Sequence, residues 1–334
     1  MRLPNLFVAG FWKCATTSLA KYLSDHPDID TTRYKETYYF LDENSPLRND
    51  WGSVSDPEDT TLKELFGTAG SAEYFLDSTP CYYSQKTALE HIQKIGGKAI
   101  FIIRDPSLRF CSSFEFFTHV YQEYPKTTLL NYTKRHLAGE LSEFYSAMSS
   151  EFHTDILRQD LTTGHYWDHI RSWKDALGDN VLITSTEKLQ SFPSETMAEV
   201  CSFLDIDNVY EDYHFEKYQK GYVVRSDALH RTLRRVFKFD PMEYGNFTQE
   251  HSHFHPLQRG PLRNFLEGAY ARLQHRPVSY AEQPLELLRA YYEPYNRILA
   301  ENTGIDYTIK NTNPSKKCAG CSNGCKKMEG MGFQ

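Results

Sequence analysis

A lysine, a thiol and three consecutive hydroxyls stand together in Lys13-Cys14-Ala15-Thr16-Thr17-Ser18, two residues after the apolar run Leu6-Phe7-Val8-Ala9 and Gly10. The apolar run has the length of a short buried strand, Gly10 ends it, and Thr16-Thr17-Ser18 opens a helix that carries Leu19, Tyr22 and Leu23. Backbone N–H groups at a helix start lack intrahelical acceptors and lie at the positive end of the helix dipole. Hydroxyls and an ammonium beside them suit a bound phosphate, so residues 13–18 are expected to cradle an anionic ligand. A second basic group stands at the end of the clearest buried strand in the chain, where Lys98-Ala-Ile-Phe-Ile-Ile103 runs into Arg104. A third feature sets two charges, Lys35 and Glu36, against the aromatic cluster Tyr38-Tyr39-Phe40.

The first loop is not the common phosphate loop GxxxxGK[ST], which needs Gly-Lys where this chain has Ala15-Thr16. Its lysine comes three residues earlier, and the stretch resembles the phosphosulfate loop of sulfotransferases, G-x-x-K-x-G-T-[TS]-[SW]-L, with Ala15 at the usual glycine. Alanine adopts positive φ only at a cost. Arg104-Asp105-Pro106, with Ser112 eight residues past the arginine, resembles the family's R-[DN]-P segment. Tyr34 to Phe40 resembles the K-E-x-H-F-F segment of the glycosaminoglycan branch, and Asp77-Ser78-Thr79-Pro80-Cys81-Tyr82-Tyr83 its E-K-T-P-x-Y-F. Gly164-His165-Tyr166, Trp173, Glu187 to Leu189 and the segment Leu285 to Gly304 resemble further family landmarks, so the likeness spans most of residues 5–305.

The resemblance implies a donor cosubstrate, 3′-phosphoadenosine-5′-phosphosulfate (PAPS), and a product, 3′-phosphoadenosine 5′-phosphate (PAP), with no metal required. Lys13, Cys14, Ala15, Thr16, Thr17 and Ser18 would hold the 5′-phosphate, with Lys13 also neutralising the leaving group. Arg104 and Ser112 would hold the 3′-phosphate, through bidentate guanidinium contacts and a hydroxyl one helix away. Lys220 and Arg225, beside Tyr222-Val-Val, resemble the family's nucleotide-covering loop. Glu36 corresponds to the branch's general base, and no histidine stands near Thr79-Pro80, where cytosolic relatives carry theirs. Ser78 and Tyr38 depart from the branch's lysine and histidine. The acceptor would be a hydroxyl of a small molecule or carbohydrate. A kinase, or a fold that binds PAPS without turnover, is the alternative.

These groups need strands that end side by side. Besides 6–9 and 98–103, Glu73 to Leu76 and Val181 to Thr184 read as strands. Helices are expected at 85–95, 107–121, 127–149, 161–177, 194–204 and 285–304, the last bent by Pro294 and closed by Gly304. Strands alternating with helices predict an α/β, P-loop-like three-layer fold around a central parallel sheet. A single domain over 1–310 is expected, with 43–72, 115–165 and 207–280 as acceptor-side excursions, the last of them irregular.

The chain has 334 residues with 40% hydrophobic content, enough for one substantial core. Its net charge of −7 gives no global basic field of the kind that draws nucleic acid. No apolar run approaches about 18 residues, so no membrane span is expected, and a cytoplasmic location follows, or the Golgi lumen if an anchor precedes Met1. Cys14, Cys81, Cys111 and Cys201 read as reduced core thiols. Cys318, Cys321 and Cys325 lie in a Lys- and Gly-rich tail from 311 to 334 with no fourth zinc ligand nearby, so the tail is read as flexible.

Overall fold

The structure, a computed structural model, describes residues 2–33, 35–46, 70–121, 127–146, 151–216, 222–224, 275–277 and 279–308. The cysteine cluster of the tail lies outside them. Five parallel strands form the central sheet: β1 (Leu6–Gly10), β2 (Ile29–Thr31), β3 (Tyr74–Asp77), β4 (Lys98–Ile103) and β5 (Val181–Ser185), in the order β2-β3-β1-β4-β5. The expected parallel sheet is thus present. β2 was not anticipated, because three residues carry too little periodicity to register.

Alternation along the strands builds a layer on each face. Leu6, Val8, Ile100 and Ile102 meet Leu19 and Leu23 of α1 (Thr16–Ser24) and a helix at Pro193–Leu204. Phe7, Ala9, Phe101 and Ile103 meet Ala88 and Ile92 of α2 (Lys86–Lys94) and Ile170 and Trp173 of a helix at Tyr166–Leu177. Both faces are covered, which is why the strands read as continuous apolar runs rather than alternating ones. A third cluster joins α3 (Pro106–Glu115) to helices at Leu129–Ala138, Ser142–Tyr145 and Glu151–Gln159 and to the long helix at Glu282–Thr303.

Several boundaries differ from expectation. The helix expected over 107–121 is α-helical only to Glu115 and continues as a wider π turn over Phe116–Tyr121. The helix expected over 127–149 stops at Ala138, where Gly139 takes φ 71°, and a four-residue turn of helix follows. Such a left-handed C-cap suits glycine and ends a helix locally whatever the periodicity beyond it. The stretch 207–280 is not wholly irregular, since Tyr222–Val224 (β6) and His275–Pro277 (β7) pair antiparallel. Pro294 lies inside the last helix and Gly304 caps it at φ 72°, as expected. Among the described residues no helix is long and apolar enough to cross a membrane.

Candidate active site

The candidate residues follow the carboxyl ends of β2 (Glu36), β1 (Lys13 to Ser18) and β4 (Arg104 and Ser112), with β3 lying between β2 and β1 in the sheet. After β1 the chain turns tightly: Phe11 N–H donates to the Ile102 carbonyl (3.0 Å), and Cys14 N–H donates to the Phe11 carbonyl (3.2 Å). Lys13 and Ala15 take φ of 63° and 62°. Ala15 then caps α1: its carbonyl accepts from Leu19 N–H, and its side chain offers no capping oxygen. The helix that follows β4 is closed differently, since Asp105 Oδ1 accepts from Ser107 N–H (2.8 Å) and Leu108 N–H (3.3 Å). Of these two helix starts, α3 is capped by its own carboxylate, whereas the N-cap of α1 supplies none. Ala15 is held in the left-handed region at a cost of about 1–2 kcal/mol. Ala15→Gly is therefore expected to raise stability by several tenths to 1 kcal/mol in denaturant unfolding, with the gain reduced by glycine's greater freedom when unfolded.

Arg104 ties the end of β4 to the loop after β1, its Nη1 donating to the Lys13 carbonyl at 3.3 Å. The Lys13 ammonium lies 3.8 Å from the centre of the Phe116 ring. Burial lowers the Lys13 pKa to about 8, Arg104 pushes the same way, and Glu36 opposes them. Lys13 therefore feels the charges of both Arg104 and Glu36. Ser112 stands on α3, eight residues past Arg104 at the end of β4. Thr16, Thr17 and Ser18 are all buried in the first turn of α1. Cys14 is fully buried with its Sγ 3.6 Å from the Tyr166 hydroxyl, and burial pushes its thiol up to about 11, which leaves it a packing residue rather than a nucleophile. Lys220 and Arg225 lie outside the described residues.

Glu36 sits on the segment that crosses in front of β3. Its carboxylate accepts from the Lys35 ammonium at Oε1 and from the Tyr38 hydroxyl at Oε2. Tyr38 reaches it from a left-handed backbone, φ 53°. Lys13, Ala15 and Tyr38 are three of the four non-glycine residues at positive φ among those described. Strained backbone of this kind gathers where the surrounding structure forces a geometry that a site requires. The Glu36 side chain keeps 26% of its surface exposed, and a carboxylate has about four lone-pair directions, so one more hydroxyl can reach it.

Comparison with known proteins places this arrangement. The sulfotransferase domain family matches residues 3–274. The chain belongs to the sulfotransferase family. It is 23% identical over 311 residues to mouse heparan sulfate glucosamine 3-O-sulfotransferase 3B1, a match covering 92% of this chain and 65% of that protein. It is 26% identical over 219 residues to human bifunctional heparan sulfate N-deacetylase/N-sulfotransferase 1, covering 64% of this chain and 23% of that one. The chain thus spans just under two thirds, or much less, of the curated relatives it matches. A sulfotransferase structure from Alicyclobacillus acidocaldarius superimposes with a TM-score of 0.51 at 18% identity, over 71% of this chain and 92% of the other, and so shares the fold.

Two buried carboxylates of this sulfotransferase were not singled out as anchors by the sequence. Asp77, at the end of β3 and with no exposed surface, accepts from Thr37 Oγ1 (2.5 Å), Thr79 Oγ1 (2.7 Å) and the Tyr82 hydroxyl (3.0 Å). Thr79 Oγ1 also accepts from Thr37 N–H, and the Tyr82 hydroxyl from Phe40 N–H. Asp77 is therefore the anchor of the Glu36 segment; burial raises its pKa to about 6 against the pull of its three donors. Asp160 accepts from Arg109 Nη1 (2.9 Å) and the Tyr132 hydroxyl (2.7 Å), and its carbonyl accepts from Arg109 Nη2. Arg109 and Asp160 are each 1% exposed. The pair fastens the helix that carries Ser112 to the segment after Gln159. Among the described residues no group of three His, Cys, Asp or Glu is arranged to hold a metal.

Proposed function

We propose that this sulfotransferase moves the sulfuryl group of PAPS to a hydroxyl of a carbohydrate or small-molecule acceptor. The observation that carries the proposal is that Lys13 feels the charges of both Arg104 and Glu36, with Arg104 bonded to the Lys13 carbonyl beside an α1 start whose N-cap, Ala15, supplies no side-chain oxygen. The 5′-phosphate would rest on the N–H groups and hydroxyls of residues 14–18. The 3′-phosphate would meet Arg104 and Ser112, with Lys220 and Arg225 as further basic contacts. The acceptor O–H gives its proton to Glu36 as its oxygen attacks sulfur, and the bond from sulfur to the 5′-phosphate oxygen breaks in line. Lys13 neutralises the charge that appears on that oxygen. The heparan sulfate named for both relatives favours a carbohydrate acceptor.

Two measurements separate this reading from a kinase. PAP should raise the melting temperature far more than ATP does, and Arg104→Ala should remove the difference. Transfer from labelled PAPS should persist in excess chelator, because a sulfate ester carries less charge than a phosphate ester and Lys13 with backbone dipoles can offset it. Equal stabilisation by ATP, or strict magnesium dependence, would reject the assignment. PAP binding with no turnover over a panel of sugar and phenol acceptors would point instead to a binding protein.

A further inference from the structure

Asp77 governs the Glu36 segment through the direction of its hydrogen bonds as well as their number. An ionised carboxylate only accepts, so the three hydroxyls that reach it all turn their protons toward it. Thr79 Oγ1 donates to Oδ1 (2.7 Å), and Thr37 Oγ1 and the Tyr82 hydroxyl donate to Oδ2 (2.5 and 3.0 Å). Each hydroxyl then has only lone pairs left, and each meets a backbone N–H of the segment. Thr79 Oγ1 accepts from Thr37 N–H (3.1 Å), Thr37 Oγ1 from Tyr39 N–H (3.3 Å) and the Tyr82 hydroxyl from Phe40 N–H (3.2 Å). These N–H groups bracket Tyr38, whose backbone is left-handed at φ 53° and whose hydroxyl donates to Glu36 Oε2. We propose that Asp77 is the positioning residue for Glu36: its charge fixes the sense of three hydroxyls, these clamp residues 37, 39 and 40, and the clamp keeps Tyr38 folded back onto the Glu36 carboxylate. This rests on the reading of Glu36 as the general base.

Burial makes the arrangement strict. Asp77, Thr79 and Tyr82 have no exposed surface and Thr37 keeps only 5%, so bulk water is not at hand to replace a partner that turns away. Asp77→Asn keeps the shape of the side chain but sets an NH2 donor where one carboxylate oxygen stood. Whichever oxygen is replaced, a hydroxyl that donated there must swing its proton aside and can no longer serve both its partners. Tyr82→Phe reaches the same clamp by another route, deleting the acceptor of Phe40 N–H while the Asp77 carboxylate keeps two donors.

The test is a double-mutant cycle on Asp77→Asn and Glu36→Gln, with Tyr82→Phe beside it. Transfer from labelled PAPS is followed on an acceptor from the sugar and phenol panel that wild type turns over, and PAP affinity is measured by calorimetry. Asp77→Asn should lower kcat by about tenfold to a hundredfold, the scale of a slight misplacement of a reacting group, with PAP affinity unchanged. In the Glu36→Gln background the same substitution should cost little more, because the group it positions is already gone. Equal losses in the two backgrounds, a parallel loss of PAP affinity, or full turnover by Asp77→Asn overturns the role of Asp77 while Glu36 stands as the base. Should Asp77→Asn fail to fold, Tyr82→Phe carries the test: a loss of about tenfold that vanishes in the Glu36→Gln background supports the clamp, and full turnover rejects it. If Glu36→Gln itself retains turnover, or wild type sulfates nothing in the panel, the reading of Glu36 fails and the role of Asp77 fails with it.

Discussion

Glu36→Gln should lower turnover by about 10²–10⁴ while leaving PAP binding nearly unchanged. The amide preserves size and can still accept from Tyr38, but it cannot take the acceptor's proton, so the loss falls on the chemical step. Lys13→Ala should cost a similar factor through the leaving oxygen. Because both groups act on one transition state, the double variant should lose less than the product of the two. The pH profile supplies an independent check. Lys13 has its pKa lowered to about 8, so its charge is present below that value and is lost as pH rises through it. kcat/KM for the nucleotide, which reports the free enzyme, should therefore decline above about pH 8, and Lys13→Arg should move that decline upward. Retention of more than about a tenth of turnover by Glu36→Gln, with chemistry shown to be rate-limiting, would place the base elsewhere. Asp77 is a poor substitute, since it is wholly buried and already accepts from three hydroxyls.

The second large effect is on stability. Arg109→Met should destabilise the fold by about 3–5 kcal/mol in urea unfolding, because it strands the Asp160 carboxylate in the interior with Tyr132 as its remaining side-chain donor. Pairing it with Asp160→Leu should recover much of that loss, since removing both charges removes the uncompensated one. A change of less than about 1 kcal/mol for Arg109→Met would mean that the pair is solvated in solution and does not fasten α3.

How far the sequence foretold this site depends on how local each signal is. The strands β1 and β4, the helix start at Thr16 and the delivery of Arg104 are written in contiguous residues, where apolar runs and punctuation suffice. Glu36 was legible only through the likeness of its segment to a family pattern, and its Lys35 partner is adjacent in sequence. Asp77 and Arg109 were both visible as letters within recognised stretches. Their work was not, because Asp77 meets Thr37 and Arg109 meets Asp160 only after distant segments fold together. Gly139 was a readable stop that the helical spacing around it obscured.

The ribbon of β6 and β7 has a consequence for how such an enzyme can change its substrate. Val224 and His275 are fixed as neighbours, so positions 225–274 form a closed excursion whose two ends stay together whatever lies between. The entropy of closing such an excursion grows only with the logarithm of its length, about 0.6 kcal/mol for each doubling. Insertions, deletions or replacement between positions 226 and 274 should thus leave the central sheet nearly undisturbed. The stretch between positions 226 and 274 can then vary on its own, while the strand ends that carry Lys13 and Arg104 keep their geometry.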